Sequence, residues 1–464
     1  MTNSIHSAPI LAAPDHSWVG NIRATLSLGW PLVGSQLAQN LIWVTDTVLL
    51  GWLGARELAA SVLGTAMFFV FFIVGSGVSN AVMTISANAA GKNDTRGVRR
   101  ATRMGLWEAA IFGLMIMIPL AYTESFLLAI GQSPELSGMA AGYVHISMFG
   151  IAPALIAMTM RGFLSAVEHA AVLLWVTILG VLVNAFLAYA LIFGNFGMPA
   201  LGLAGAAIGS VGTNVAMASA LIVYSVWKKS LRRYKILARF FKFDWPTMKT
   251  LLKLGIPIGL TLLAEVGMFN GAAFMMGWSG TIALAAHGIV LQIASLAFMI
   301  PFGLSQAANV RVGRAVGRAD LMGIERAAKT SLLICVCSGL TTALIFSSIP
   351  ERLIRLFLDQ SNADSARIVA YGIPLLGIAA AFQVFDSIQV TSFGLLRGVR
   401  DVRIPMFIAI FAYWGVGLPT GFILSVYAGY GGFGVWIGLA IGLALAAVLM
   451  SWRFFRRRAR WLEN

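Results

Sequence analysis

Apolar runs long enough to cross a bilayer as helix, roughly 20 residues each, recur along the chain between short polar breaks. Twelve can be placed, near 24–52, 58–87, 100–121, 138–159, 171–194, 200–226, 250–279, 284–312, 326–348, 368–394, 404–428 and 432–453. The pattern predicts an all-α polytopic membrane protein. One break is longer and basic: WKKSLRRYKILARFFKFDW (227–245), between the sixth and seventh spans. Its mixture of basic and apolar residues predicts an amphipathic helix lying on an anionic inner leaflet. Residues 1–22 are polar, carry Pro9 and Pro14 and lack the apolar core of a secretory signal, so they read as a cytoplasmic tail. Residues 454–464 read as a second, basic tail.

The two sides of the basic break repeat one another. A shift of 226 residues lays Leu28–Gly97 on Leu254–Gly323 without a gap, with 19 of 70 positions identical. LGWP (28–31) meets LGIP (254–257), GWLG (51–54) meets GWSG (277–280), and AGKND (90–94) meets VGRAD (316–320). Glycines, prolines and tryptophans in register are hard to obtain from shared apolar composition alone. Six spans per half is an even number, so the halves run parallel. The prediction is two six-helix lobes, 23–226 and 250–453 joined by the linker 227–249, related by a pseudo-twofold along the membrane normal with a cavity between them. Pro31 and Pro257 occupy matching positions and predict kinks in the first and seventh spans.

Composition agrees. Of 464 residues, 59% are hydrophobic and 11% charged, and the mean hydropathy is +0.84; a soluble domain carries about 25% charged residues. The net charge of +15 could suggest nucleic acid as partner. The basic residues, however, gather between spans instead of on one domain, which argues for topology and against nucleic acid. With the N-terminus in the cytoplasm, 29 of the 33 Lys and Arg fall inside, and only Arg56, Arg352, Arg355 and Arg367 outside. Both termini are therefore expected to be cytoplasmic. Cys335 and Cys337 lie two apart in one span and are poorly placed to pair. P-loop, zinc and GxSxG motifs are absent from the sequence, so the chain is not expected to be an enzyme, and energy must come from an ion gradient or from passive equilibration.

Of the eighteen acidic residues, fifteen lie in loops, tails or within about two turns of a span end, leaving Asp46, Glu265 and Asp386. A charge at the bilayer centre costs on the order of 2.5 kcal/mol or more and by default marks a functional site. No Lys or Arg reads as comparably deep, so the buried charge is expected to be acidic only, favouring a cationic cargo or coupling ion. On the first span Gln39, Trp43 and Asp46 share a face, with Gln36 and Asn40 beside it. Glu265 lies one turn from Thr261 and Phe269. Asp386 has Gln383 and Gln389 three residues to either side. Met268, Phe269, Phe382 and Phe385 are candidates for an adaptable aromatic lining. The competing reading of each acid is structural, a side chain hydrogen-bonded between helices. Asn184 could join Asp46 or act as interhelical glue. His145, His169 and His287 lack partners at metal spacing. Glu265 falls at Gln39 in the repeat and Asp46 at Ala272, so the lobes have diverged at their polar sites.

LGWPLVGSQLAQNLIWVTDTVLLG (28–51), LGIPIGLTLLAEVGMF (254–269), GNFGMPALGLAG (194–205) and FQVFDSIQVTSFGLLRGVRDVRIP (382–405) resemble the multidrug and toxic compound extrusion (MATE) transporters, NorM-like branch, over nearly the whole chain. The resemblance implies a monomer in a bacterial inner membrane, exporting cationic and zwitterionic drugs or dyes in exchange for protons or sodium, with no other cofactor. The family's N-lobe acid maps to Asp46 and its fifth-helix Asn to Asn184. Its C-lobe pair maps to Glu265 and Asp386, where a sodium ion would bind if sodium is the coupling ion. Two departures, Ala188 in place of a second Asn and Phe382 in place of a Tyr, remove oxygens and tilt the expectation toward protons. The alternative is a lipid-linked oligosaccharide flippase of the same superfamily, which should show buried Arg or Lys and often extra spans.

Overall fold

The structure, a computed structural model, describes residues 17–358, 364–457 and 461. The expected tails lie largely outside these residues. Among them the twelve spans are helices: α1 (Trp18–Leu53), α2 (Ala55–Gly91), α3 (Thr95–Ala121), α4 (Pro134–Ala166), α5 (Ala171–Phe193) and α6 (Leu203–Trp227) in the first half, then α7 (Trp245–Trp278), α8 (Thr281–Gly317), α9 (Leu321–Ser348), α10 (Ser365–Gly398), α11 (Arg403–Tyr427) and α12 (Gly431–Arg456). Eleven are long and apolar enough to cross a membrane on composition alone. The twelfth, α1, is 36 residues long, and its polar stripe lowers its hydropathy. Two helices are irregular. A 3₁₀ turn at Met148–Gly150 breaks α4, and α11 carries two π-helical stretches, Phe411–Gly417 and Ile423–Tyr427, a distortion frequent at functional sites.

The repeat in the sequence reappears as reciprocal contacts between the lobes. A Cβ on Gly29 would meet the Leu304 side chain at 2.7 Å, and one on its repeat mate Gly255 would meet Val78, the mate of Leu304. A Cβ on Gly303 would lie 2.6 Å from the Cα of Val33, and one on its mate Gly77 would press on Gly259, the mate of Val33. Nearer the loops, Gly91 abuts the carbonyl of Arg314, and Gly317 abuts that of Asn88. Glycine is required here because backbones touch. The pairs α1–α8 and α2–α7 thus form one seam seen twice. The loops after α2 and α8 also match: Asn93 and Ala319 both have φ 56, and Asp94 and Asp320 cap the next helix through the amides of Gly97 (2.8 Å) and Gly323 (2.7 Å).

The lobes close at the end where the basic loops gather. Thr84 donates to Asn309 at 3.0 Å, and Asn88 donates to the carbonyl of Gly398 at 3.2 Å. Arg311 donates to Asn21 and Thr25, and Arg314 pairs with Glu168. Among the described residues, the hydrogen bonds and ion pairs between the lobes all lie in that half.

The linker departs from its expected form. It contains a single 3₁₀ turn, Arg232–Tyr234, and Lys235 and Arg239 adopt left-handed backbone, so no amphipathic helix forms. Packing on the first lobe prevails: Leu231, Tyr234 and Ile236 are buried there, Phe240 stacks on Trp107 at 5.8 Å, and Arg103 and Trp107 bond the carbonyls of Arg239 and Phe240. Runs of like charge without acidic partners also disfavour a helix.

Candidate functional site

In the first lobe a cavity of about 430 Å³ runs between α1, α2, α4, α5 and α6 and reaches the seam, where Leu262 and Val266 of α7 and Met299, Phe302 and Gln306 of α8 complete its wall. The predicted stripe of α1 lines it: Gln36, Gln39, Asn40, Trp43 and Asp46. Across from these stand Phe68, Phe69 and Phe72 of α2, with Trp43 edge-on to Phe69 at 5.9 Å. Asp46 accepts from Asn184 Nδ2 at 3.0 Å and from Ser210 Oγ at 2.9 Å. Asn184 and Asp46, left open in the sequence, are thus brought together. Ser210 is an addition that no sequence signal marked. Asp46 has no cation within ion-pair distance among the described residues.

The expectation that buried charge is acidic only is corrected. Arg161 of α4 lines the same cavity. It donates to Gln39 Oε1 at 3.2 Å, to Ser35 and to Thr177 at 2.9 Å. It read as a single basic residue near a span end, but α4 runs on to Ala166 and α5 begins at Ala171, which places the guanidinium among helices. In the second lobe Arg397 is 3% exposed, lies over the Phe393 ring at 5.0 Å, and its field reaches Glu265. A fourth intramembrane acid also appears. Glu108 of α3 is 5% exposed and accepts from Ser79. It looked close to a span end, yet α3 starts at Thr95, which sets Glu108 about 20 Å along the helix.

The second lobe holds the other acids. Asp386 is buried on α10, Glu265 is partly buried on α7, and they are near enough for their charges to act on one another. Gln383 and Gln389 are fully buried beside Asp386; Asp386 Oδ1 and both amide atoms of Gln383 end without a hydrogen-bond partner. Tyr413 is buried in the first π-helical stretch of α11, near enough to Glu265 and Asp386 for their charges to act on it. The sequence reading missed this hydroxyl. The wider turn of α11 also brings Trp414 to the backbone of α7, where its Nε1 donates to the Ala264 carbonyl at 3.0 Å.

Phe269 meets Phe382 at 6.1 Å, and Phe382 meets Trp436 at 5.8 Å. Trp436 in turn donates to His287 Nδ1 at 3.1 Å. Met268 is fully buried. Thr261 spends its hydroxyl proton on the Pro257 carbonyl. Phe385 is 37% exposed and stands about 100° around α10 from Asp386. The second lobe thus offers carboxylate, amide and phenol oxygens, a set that suits a hard cation or a proton.

Residues 31–190 and 257–423 match the MatE family, and the two matches begin 226 residues apart, in register with the internal repeat. The chain is 45% identical over 447 residues, 96% of each chain, to a probable multidrug resistance protein NorM of Rhizobium meliloti. It is 43% identical over 438 residues, 94% of each, to one of Agrobacterium fabrum. Among solved structures it resembles an outward-facing multidrug resistance MATE family transporter (TM-score 0.87, 20% identity, 96% of this chain and 97% of that one). It also resembles a eukaryotic MATE transporter (TM-score 0.84, 19% identity, 96% and 99%).

Proposed function

Because the chain belongs to the MatE family, we propose that it is a secondary multidrug efflux antiporter of a bacterial inner membrane, moving cationic and zwitterionic amphiphiles outward against an inward flow of protons or sodium. The observation that carries this reading is the division of labour between the lobes. One holds an aromatic and polar cavity with Asp46 in its wall; the other holds Asp386, Gln383 and Gln389 buried side by side with Glu265 near them. A cargo site and a coupling site are thereby kept apart. The positive-inside rule assigns the basic end to the cytoplasm, so a structure closed there corresponds to the outward-open state of an alternating-access cycle. Binding of an ion at Glu265 and Asp386 would bias the seam, and through it the opening of the cargo cavity.

The coupling ion follows from the oxygen count. Phe382 brings none, but Tyr413 stands on the facing helix, so the reason for favouring protons over sodium is weaker than the sequence suggests. The flippase alternative gains one basic residue in the cavity wall, Arg161, but about 430 Å³ is small for an oligosaccharide on a lipid carrier. The test is efflux of a fluorescent cationic dye from proteoliposomes with sodium and pH gradients imposed separately. Movement driven by at least one gradient supports antiport; movement indifferent to both, dissipating only the dye's own gradient, overturns it.

A further inference from the structure

We propose that the cargo cavity is bipolar, with an anion subsite at Arg161 opposite the cation subsite at Asp46. Its preferred ligands would then be zwitterions that carry a carboxylate about 10 Å from a cationic centre. Arg161 is held by three neutral oxygens, those of Gln39, Ser35 and Thr177, and no carboxylate lies within ion-pair distance of it among the described residues. A guanidinium in a membrane protein interior ordinarily has a counter-charge, and this one faces a ligand-sized cavity. Its fork is suited to a planar carboxylate.

The spacing comes from two helices independently. Gln39, which touches Arg161, precedes Asp46 by seven residues on α1, and Thr177 precedes Asn184, the partner of Asp46, by seven on α5; seven residues of helix rise about 10.5 Å. The ligand would therefore lie along α1 and α5 with its anionic end toward the basic end of the protein and its aromatic body against Phe68, Phe69 and Phe72. The competing account is that Arg161 only clamps α1, α4 and α5 together.

The inference rests on the efflux reading and is tested so that the two fail separately. The probes are a rigid fluorescent amphiphile that carries a carboxylate about 10 Å from a single ammonium group, and its methyl ester, which share the fluorophore and the cation. Binding to purified wild-type protein should favour the acid by about tenfold or more, the usual worth of a charge-assisted hydrogen bond. Arg161→Gln should erase that preference, lowering affinity for the acid about tenfold more than affinity for the ester, and Arg161→Lys should partly restore it. Equal wild-type affinity for acid and ester, or a parallel fall of both in Arg161→Gln, would overturn the anion subsite. The wild-type comparison stands even if the variant does not fold. Ester transport that ignores both ion gradients would instead overturn the efflux reading.

Discussion

Replacing Gly303 by alanine adds one methyl group where the backbones of α1 and α8 meet in the seam. Its Cβ would sit 2.6 Å from the Cα and 2.7 Å from the amide nitrogen of Val33. Backbone atoms cannot swing away, so α1 and α8 must part by about 0.8 Å to reach ordinary contact, a strain of the overpacking kind that costs about 1–3 kcal/mol. Alanine also favours helix over glycine by about 1 kcal/mol, but that gain is present in every state in which α8 is helical. It cancels between open and closed forms while the clash does not. The expected outcome is a protein that expresses and melts normally yet loses about 5- to 150-fold in preference for the arrangement closed at the basic end. Spin labels at Lys92 and Arg318, on the matched loops after α2 and α8, would report this as a shift to longer distances. Gly77→Ala, its counterpart across the pseudo-twofold, should behave alike. Gly288→Ala on the same helix, where an added Cβ meets nothing within 4 Å, should leave the distances alone. An unchanged distribution in Gly303→Ala, or an equal shift in Gly288→Ala, would refute the seam as the element that sets the equilibrium.

Three further outcomes are expected. Asp386→Asn and Glu265→Gln should each abolish gradient-driven efflux with expression near normal; wild-type transport in both would return the acids to a packing role. Tyr413→Phe should raise the half-saturating sodium concentration several-fold if sodium is the coupling ion and leave it unchanged if protons are, read from initial rates across a sodium titration at fixed pH. An impermeant maleimide should label a cysteine at Thr281 from outside the cell and leave one at Lys242 unlabelled, and the reverse pattern would invert the topology. Ser361, the site that the sequence alone would nominate for outside labelling, lies outside the described residues.

Hydropathy made the spans and the repeat visible because both depend on position along the chain. Glu265 and Asp386 stood out since each lies more than two turns from a span end, and Asp46 because it continues the polar stripe of Gln39 and Trp43. Arg161 and Glu108 escaped for the opposite reason. Each sits near the apparent end of an apolar run whose helix continues past it, and burial there is decided by neighbouring helices, not by distance along one. Tyr413 and Ser210 are unremarkable in sequence; the first is buried where α11 winds as a π-helix, and the second reaches Asp46 from α6. The linker misled because Leu231, Tyr234 and Ile236 pack on the lobe beside it, while Leu237 and Phe241 stay exposed. In each case the missing information was which elements meet.

The reciprocal glycine contacts bear on how such a chain can change over generations. Gly29, Gly77 and Gly91 each have a glycine mate in the other half, at 255, 303 and 317, where the lobes touch. The polar interiors carry no such cross-reference: Asp46 faces Ala272 in the repeat, and Glu265 faces Gln39. The internal symmetry is in this way kept along the line of contact and in the matched loops beside it, and lost at the polar sites. New cargo specificity can therefore be written into one lobe without rewriting the motion that both lobes share.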